Sequence, residues 1–319
     1  MPSRRQFLTT TSGATIGTSL IGSGCKPSSS SDTASTTETD DGWIDAHSHI
    51  WTPDTDAYPI HDSYKKENMK PPSFTPEELF AHCHPEGVTR IVLIQMSFYK
   101  FDNSYMLDMM KKHPGVFSGV AVIDEAAPDV EGTMKALKQK GVRGFRLRAG
   151  KKETTESWVK SPGMRAMWKY GADNGLAMCP LSNPDALPAI AAMCKEFPKT
   201  PVVIDHFSRI GVSGTVEKSD LDNLCSLADF ENTHVKTSAF YALGKKEAPY
   251  TDLGPMIGRL RDTYGADRLM WATDCPYQVQ NNHTYADSIA LIRDHLDDVL
   301  SPKDKNWILR DTAKKVFFN

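Results

Sequence analysis

From residue 42 onward the chain alternates short apolar runs with longer stretches of helical periodicity. The apolar runs fall at 43–47, 90–95, 118–123, 142–147, 176–180, 201–206, 234–238 and 268–273. Helical patterns lie between them, among others at 75–84, 104–112, 129–140, 184–197 and 252–264, several opened by Pro, Ser, Thr or Asp residues suited to a helix start. This is the order expected when buried parallel strands are each covered by a returning helix. Eight such repeats predict an α/β fold, a (β/α)8 TIM barrel forming a single domain over 42–319. An open doubly wound sheet is the alternative. No Gly-x-Gly-x-x-Gly follows the first strand, however, and no Gly-x-x-x-x-Gly-Lys-Ser/Thr occurs, so no nucleotide cofactor is expected.

In such barrels the reacting side chains project from the C-terminal ends of the strands. The first strand ends Asp45-Ala46-His47-Ser48-His49, and a period of two turns His47 and His49 to the same side. The sixth ends Asp205-His206, and the eighth ends Thr273-Asp274-Cys275-Pro276. A lone His at a strand end is more often a structural residue than a ligand, and a lone Asp before Pro often only shapes a turn. Three imidazoles and a carboxylate converging on one rim are not explained that way. Asp45 is expected to point away from the histidines and is read as a structural acid, whereas His82, His84 and His113 fall on or beside helices.

Composition narrows the class. The 319 residues are 39% hydrophobic and 24% charged with a net charge of -3, an ordinary globular profile without the basic stripe of a nucleic-acid binder. No run approaches the roughly twenty apolar residues of a spanning helix, so no transmembrane segment is expected. The N-terminus carries a different signal. Ser3-Arg4-Arg5-Gln6-Phe7-Leu8 and the mildly apolar stretch ending at Cys25 resemble a twin-arginine export signal, with 26–41 a Ser/Thr-rich tether. Cys25 resembles a lipoprotein junction, a lipid anchor for a periplasmic or membrane-tethered enzyme, although Gly22 stands where an aliphatic residue is expected. The other five cysteines form no CxxC pair, so neither a disulfide framework nor a zinc ribbon is indicated.

The sequence from about Trp43 to Phe318 resembles the amidohydrolase-related (amidohydrolase 2) family, particularly its sugar-lactonase and 2-pyrone-4,6-dicarboxylate lactonase branch. The passages that carry this are Ile-Asp-Ala-His-Ser-His-Ile-Trp at 44–51, Ser97-Phe98-Tyr99 with Asp102-Asn103-Ser104-Tyr105, Gly144-Phe145-Arg146-Leu147, Val203-Ile204-Asp205-His206 and Trp271-Ala272-Thr273-Asp274-Cys275-Pro276. The resemblance implies that Asp274 is the general base for a hydrolytic water, with the histidines holding a divalent metal or the substrate carbonyl. Metal-loaded members usually add a His or a modified Lys from strands four to six. Here the fifth strand reads Leu176-Ala177-Met178-Cys179-Pro180, so a metal is an option that hydrolysis can dispense with. Its ligands would be His47, His49 and Asp274, then His206, a donor set suited to Zn²⁺ or Mn²⁺.

The expected reaction is the opening of a lactone, a small-molecule substrate of the sugar-acid type, with Asp274 and His206 catalytic. Arg146 and Arg148 share a face of the fourth strand and suit a substrate carboxylate, or else salt-bridge within the barrel. Tyr99, Arg209 and Tyr277 are further lining residues, whereas Lys236 on the seventh strand is read as structural. Two other functions compete: metal-dependent decarboxylation on the same scaffold, and non-catalytic carbohydrate binding. Nothing in the sequence speaks to oligomeric state.

Overall fold

In the computed structural model, which describes residues 41–319, eight strands form one parallel sheet in sequence order. They are β1 (Trp43–Ser48), β2 (Val88–Ile94), β3 (Phe117–Ala121), β4 (Val142–Ala149), β5 (Ala177–Ser182), β6 (Val202–Ile204), β7 (Thr233–Thr237) and β8 (Leu269–Trp271). A helix follows each strand: Pro76–Cys83, Ser104–Lys112, Val130–Gln139, Pro162–Asn174, Leu187–Glu196, Lys218–Ser226, Gly254–Tyr264 and Tyr285–Asp294. This is the expected TIM barrel. The export signal, Cys25 and nearly all of the tether lie outside the described residues.

Local chemistry sets the helix starts. Thr75 accepts from the Glu78 amide while Glu78 reaches back to the Thr75 amide, a reciprocal cap that satisfies two otherwise orphaned donors. Ser161 and Thr284 cap two further helices by accepting from the amides of Met164 and Asp287.

Two apolar layers build the core. The outer one packs strands against helices, with residues such as Leu93, Phe145 and Trp271. The inner one fills the barrel with Ile44, Ala46, Val92, Val203 and Met270 among others, and Ala313 and Phe317 of the terminal Thr312–Phe317 helix seal its lower end. Above this plug the interior turns polar, which is where the site sits.

The ring closes between β1 and β8 through Asp45. Residues 45, 47 and 49 would share one face of a regular strand. The β1–β2 register slips between Asp45 and Ser48, where three steps on β1 match two on β2, so an extra residue rotates the strand end. Asp45 does point away from the histidines, but the bulge is the reason and not simple alternation. Its buried carboxylate accepts from the amides of His47 and Thr273, both at 3.0 Å. It also accepts from the hydroxyls of Ser48 at 2.7 Å, Thr273 at 2.5 Å and Tyr285 at 2.9 Å. Beside it the Asp274 amide donates to His47 O and the His49 amide to Cys275 O, each at 2.8 Å.

An Asn at this position turns one acceptor into a donor facing donors. Asp45→Asn is expected to cost roughly 3 kcal/mol, a buried charged acceptor lost with its partners unpaired, and to lower Tm by about 5–10 °C for a chain of this size. An unchanged melting curve by circular dichroism would show that the seam does not need the carboxylate.

Candidate active site

Both strands that end in the key residues stop earlier than their apolar runs. β6 ends at Ile204, and His206, Phe207, Ser208 and Arg209 follow with φ of 51°, 51°, 54° and 60°. Left-handed backbone costs an L residue about 1–2 kcal/mol. Four in succession persist because Phe207 is buried, Ser208 bonds Ser182 at 2.6 Å and the His206 ring bonds Ser238 at 2.8 Å. Asp274, just past β8, is also left-handed with φ 68°. The strain turns both side chains inward over the barrel mouth, the kind of position at which backbone strain serves function.

There the four expected residues meet. Asp274 Oδ1 lies 3.2 Å from His49 Nε2, 3.4 Å from His47 Nε2 and 3.7 Å from His206 Nε2. Its other oxygen accepts from the Tyr241 hydroxyl at 2.7 Å. Burial raises the Asp274 carboxyl, but His206, His49 and His47 outweigh it and hold the acid below its ordinary range. The group is therefore a carboxylate at neutral pH. His206 is pushed down to about 4, by burial above all, and His47 well below its usual value for the same reason.

Beneath this ring lies a charged layer. Lys236, fully buried, sits 2.9 Å from Asp205 Oδ1 and 3.2 Å from His47 Nδ1, with its ammonium over the Phe317 ring. Asp205 Oδ1 is 3.3 Å from His47 Nδ1, and Arg146 Nη1 is 3.3 Å from His47 Nε2 and 3.9 Å from Asp205 Oδ2. The Asp205 oxygens make no aligned hydrogen bond, so they are held by charge and proximity. Burial would raise this acid too, yet Lys236, His47 and Arg146 win and keep it well below the usual range.

Over the ring opens a cavity of about 350 Å³, the size of a small-molecule site. His49, His206, Asp274, Arg146, Arg148, Arg209, Tyr241 and Tyr277 line it. Arg148 and Arg209 are exposed at the mouth, and among the described residues the Arg209 side chain reaches only Asn183, at 3.4 Å. Arg148 makes no ion pair or hydrogen bond among the described residues. Arg146 serves both expectations at once, since it lines the cavity and is tied into the barrel.

Tyr99 is not where it was expected. It is 3% exposed, packs edge-on to Phe98 and accepts from the Thr52 amide at 3.4 Å, away from the cavity. The turn after β2 directs its ring into the outer core. Lys236, expected to be structural, touches His47 directly. Asp205 and Tyr241 were missed: Asp205 stands beside His206 in a recognisable passage, whereas nothing in the sequence singles out Tyr241.

The donor types are those a divalent metal takes, with the Arg146 guanidinium already at His47 Nε2. His49 Nδ1 faces the Ile94 carbonyl at 2.7 Å, which can only accept, so the Nε2 lone pair faces the Asp274 carboxylate. Two acceptors 3.2 Å apart need positive charge between them, a proton or a cation. His47, His49 and Asp274 offer atoms within 4.8 Å of one another, the grouping of a divalent site.

An eight-stranded barrel with His-x-His on its first strand, His after the sixth and Asp after the eighth defines an enzyme that works on polar bonds at its C-terminal rim. The sequence matches the amidohydrolase (Amidohydro_2) family over residues 44–318, and the chain belongs to that family. It is 25% identical over 248 residues to an L-fucono-1,5-lactonase of Burkholderia ambifaria, covering 73% of this chain and 80% of the relative. A 4-sulfomuconolactone hydrolase of Hydrogenophaga intermedia is 26% identical over 282 residues, 86% of this chain and 88% of that one. A zinc-bound amidohydrolase structure from Burkholderia multivorans shares the fold with a TM-score of 0.72 at 17% identity, covering 86% of this chain and 99% of that one.

Neutral buried histidines have a consequence for stability. His206 and His234, the latter on β7, titrate near 4 in the fold, chiefly through burial, and near 6.5 when unfolded. The unfolded chain therefore binds more protons between these values, so stability rises with pH across that window. It is fully present above about 6.5 and is lost as pH falls through about 4. Asp45, raised by burial, works in the opposite direction. The urea midpoint is expected to fall steadily from pH 6.5 to 4, and less steeply in His234→Gln. Equal slopes in the two proteins would contradict the assignment.

Proposed function

We propose that the protein hydrolyses a lactone that carries an acidic group, with Asp274 as general base for the attacking water. The observation that carries this reading is the pairing of an ionised Asp274 on the cavity floor with Arg148 and Arg209 at its mouth, neither of which has an acidic partner among the described residues. The floor supplies a base and the mouth supplies anion recognition, since guanidinium groups bind carboxylate or sulfonate through forked hydrogen bonds. Relatives named for L-fucono-1,5-lactone and 4-sulfomuconolactone support the reaction class.

In this reading water approaches the lactone carbonyl carbon and gives a proton to Asp274 as its oxygen bonds to that carbon. The resulting tetrahedral oxyanion collapses, the ring C–O bond breaks, and the departing alkoxide takes the proton back from Asp274. Tyr241 holds the base by its second oxygen, leaving Oδ1 toward the imidazoles. Arg146, which lines the cavity, supplies positive charge for the oxyanion, the contribution that is often largest in such reactions. A divalent ion held by His47, His49 and Asp274 would add Lewis-acid polarisation of the carbonyl. The leader-like residues 1–25 add to this reading an exported enzyme.

A panel of lactones with and without a carboxylate or sulfonate substituent, assayed with and without chelator, tests it. Acidic lactones are expected to turn over. Asp274→Asn is expected to lower kcat by about 10² to 10⁴, the usual worth of a general base, with its circular dichroism retained. Arg148→Gln is expected to raise KM for acidic lactones about 10-fold, the loss of one charged contact of about 1.4 kcal/mol, and to leave neutral lactones unaffected. Full turnover by Asp274→Asn would overturn the base; release of CO₂ in place of hydrolysis would point to the decarboxylase reading.

A further inference from the structure

His47 meets a cation at each ring nitrogen. Lys236 Nζ lies 3.2 Å from Nδ1, and Arg146 Nη1 lies 3.3 Å from Nε2. A neutral imidazole has one N–H and one lone pair, so it can satisfy only one of them. Asp205 decides which. Its Oδ1 lies 3.3 Å from Nδ1, where its negative charge favours the proton on that nitrogen, and it holds Lys236 at 2.9 Å by charge. The lone pair is then on Nε2, in contact with the Arg146 guanidinium. That lone pair is also the one His47 would offer to a metal shared with Asp274, whose Oδ1 lies 3.4 Å from Nε2.

The charge count points the same way. The enclosed layer holds two carboxylates, Asp205 and Asp274, against two cations, Lys236 and Arg146. These four groups balance one another, so any positive charge between His49 and Asp274 is already a surplus. A dication would leave a surplus of two positive charges in a buried space, below a mouth already carrying Arg148 and Arg209. Uncompensated charge in such surroundings is costly.

We propose that Arg146 is a built-in cation that occupies the metal-ligand position of His47, so that the guanidinium and a divalent ion compete for one lone pair and the native site holds metal weakly. The inference does not rest on the lactone reading, and its test measures metal and not turnover, so either can fail alone.

The experiment is Zn²⁺ affinity of the full chain at pH 7.5, by competition with a chromophoric chelator and by metal content after dialysis. Arg146→Met, which keeps bulk but loses the charge and the donor, is expected to bind Zn²⁺ about 10- to 100-fold more tightly than the wild type, the range over which neighbours of metal ligands act. Arg148→Met removes a charge from the same cavity without touching His47 and is expected to change affinity far less. Adding His47→Asn to Arg146→Met is expected to abolish the gain. If Arg146→Met does not fold by circular dichroism, Arg146→Gln carries the same expectation. An affinity unchanged or weakened in the Arg146 variant, or an equal gain in Arg148→Met, would overturn the proposal.

Discussion

The carboxylate of Asp45 is the fixed point from which the site is built. It gathers five donors from the end of β1, the end of β8 and the Tyr285–Asp294 helix into one buried knot. Two of those donors are the amides of His47 and Thr273, so the knot sets the backbone on either side of the Asp274 carboxylate. The neighbouring bonds from the Asp274 amide to His47 O and from the His49 amide to Cys275 O complete the seam. Strand closure and active-site geometry are thus one structural event. A barrel that failed to close here would also lose the register between His47, His49 and Asp274.

What is placed on this frame is charge whose burial would be costly alone. Asp205, Lys236 and Arg146 lie under the imidazole ring, where lone ions are expensive and paired ones are tolerated. The apolar plug below, capped by Phe317, keeps water from reaching them from the far end. Strained backbone at His206 to Arg209 and at Asp274 then aims the reactive groups at a cavity of about 350 Å³. Packing, charge balance and strain all converge on the C-terminal rim, where a barrel places its chemistry.

Much of this was readable from the sequence. The eight apolar runs at 43–47 through 268–273 mark every strand, and the residues at their ends mark the rim. The discrepancies are physical. The run at 201–206 implies a strand through His206, but the ladder stops at Ile204 because the next residues turn left-handed, a conformation that His, Phe, Ser and Arg do not advertise. Asp45 points away from the histidines as expected, but a bulge that is invisible in composition, and not alternation, is what turns it. Tyr99 and Tyr241 are both aromatic residues in loops after strands, and only the loop path sends one into the core and the other to Asp274. Lys236 looked like a structural residue because a buried Lys acquires meaning only from its partners.

Oxygen tracing tests the central claim, that Asp274 directs water to the carbonyl carbon of an acidic lactone, most directly. In a single turnover in H₂¹⁸O, the wild type is expected to place one ¹⁸O in the new carboxylate and none in the new hydroxyl. Label in the hydroxyl, an unlabelled product, or the same labelling rate in Asp274→Asn would contradict it.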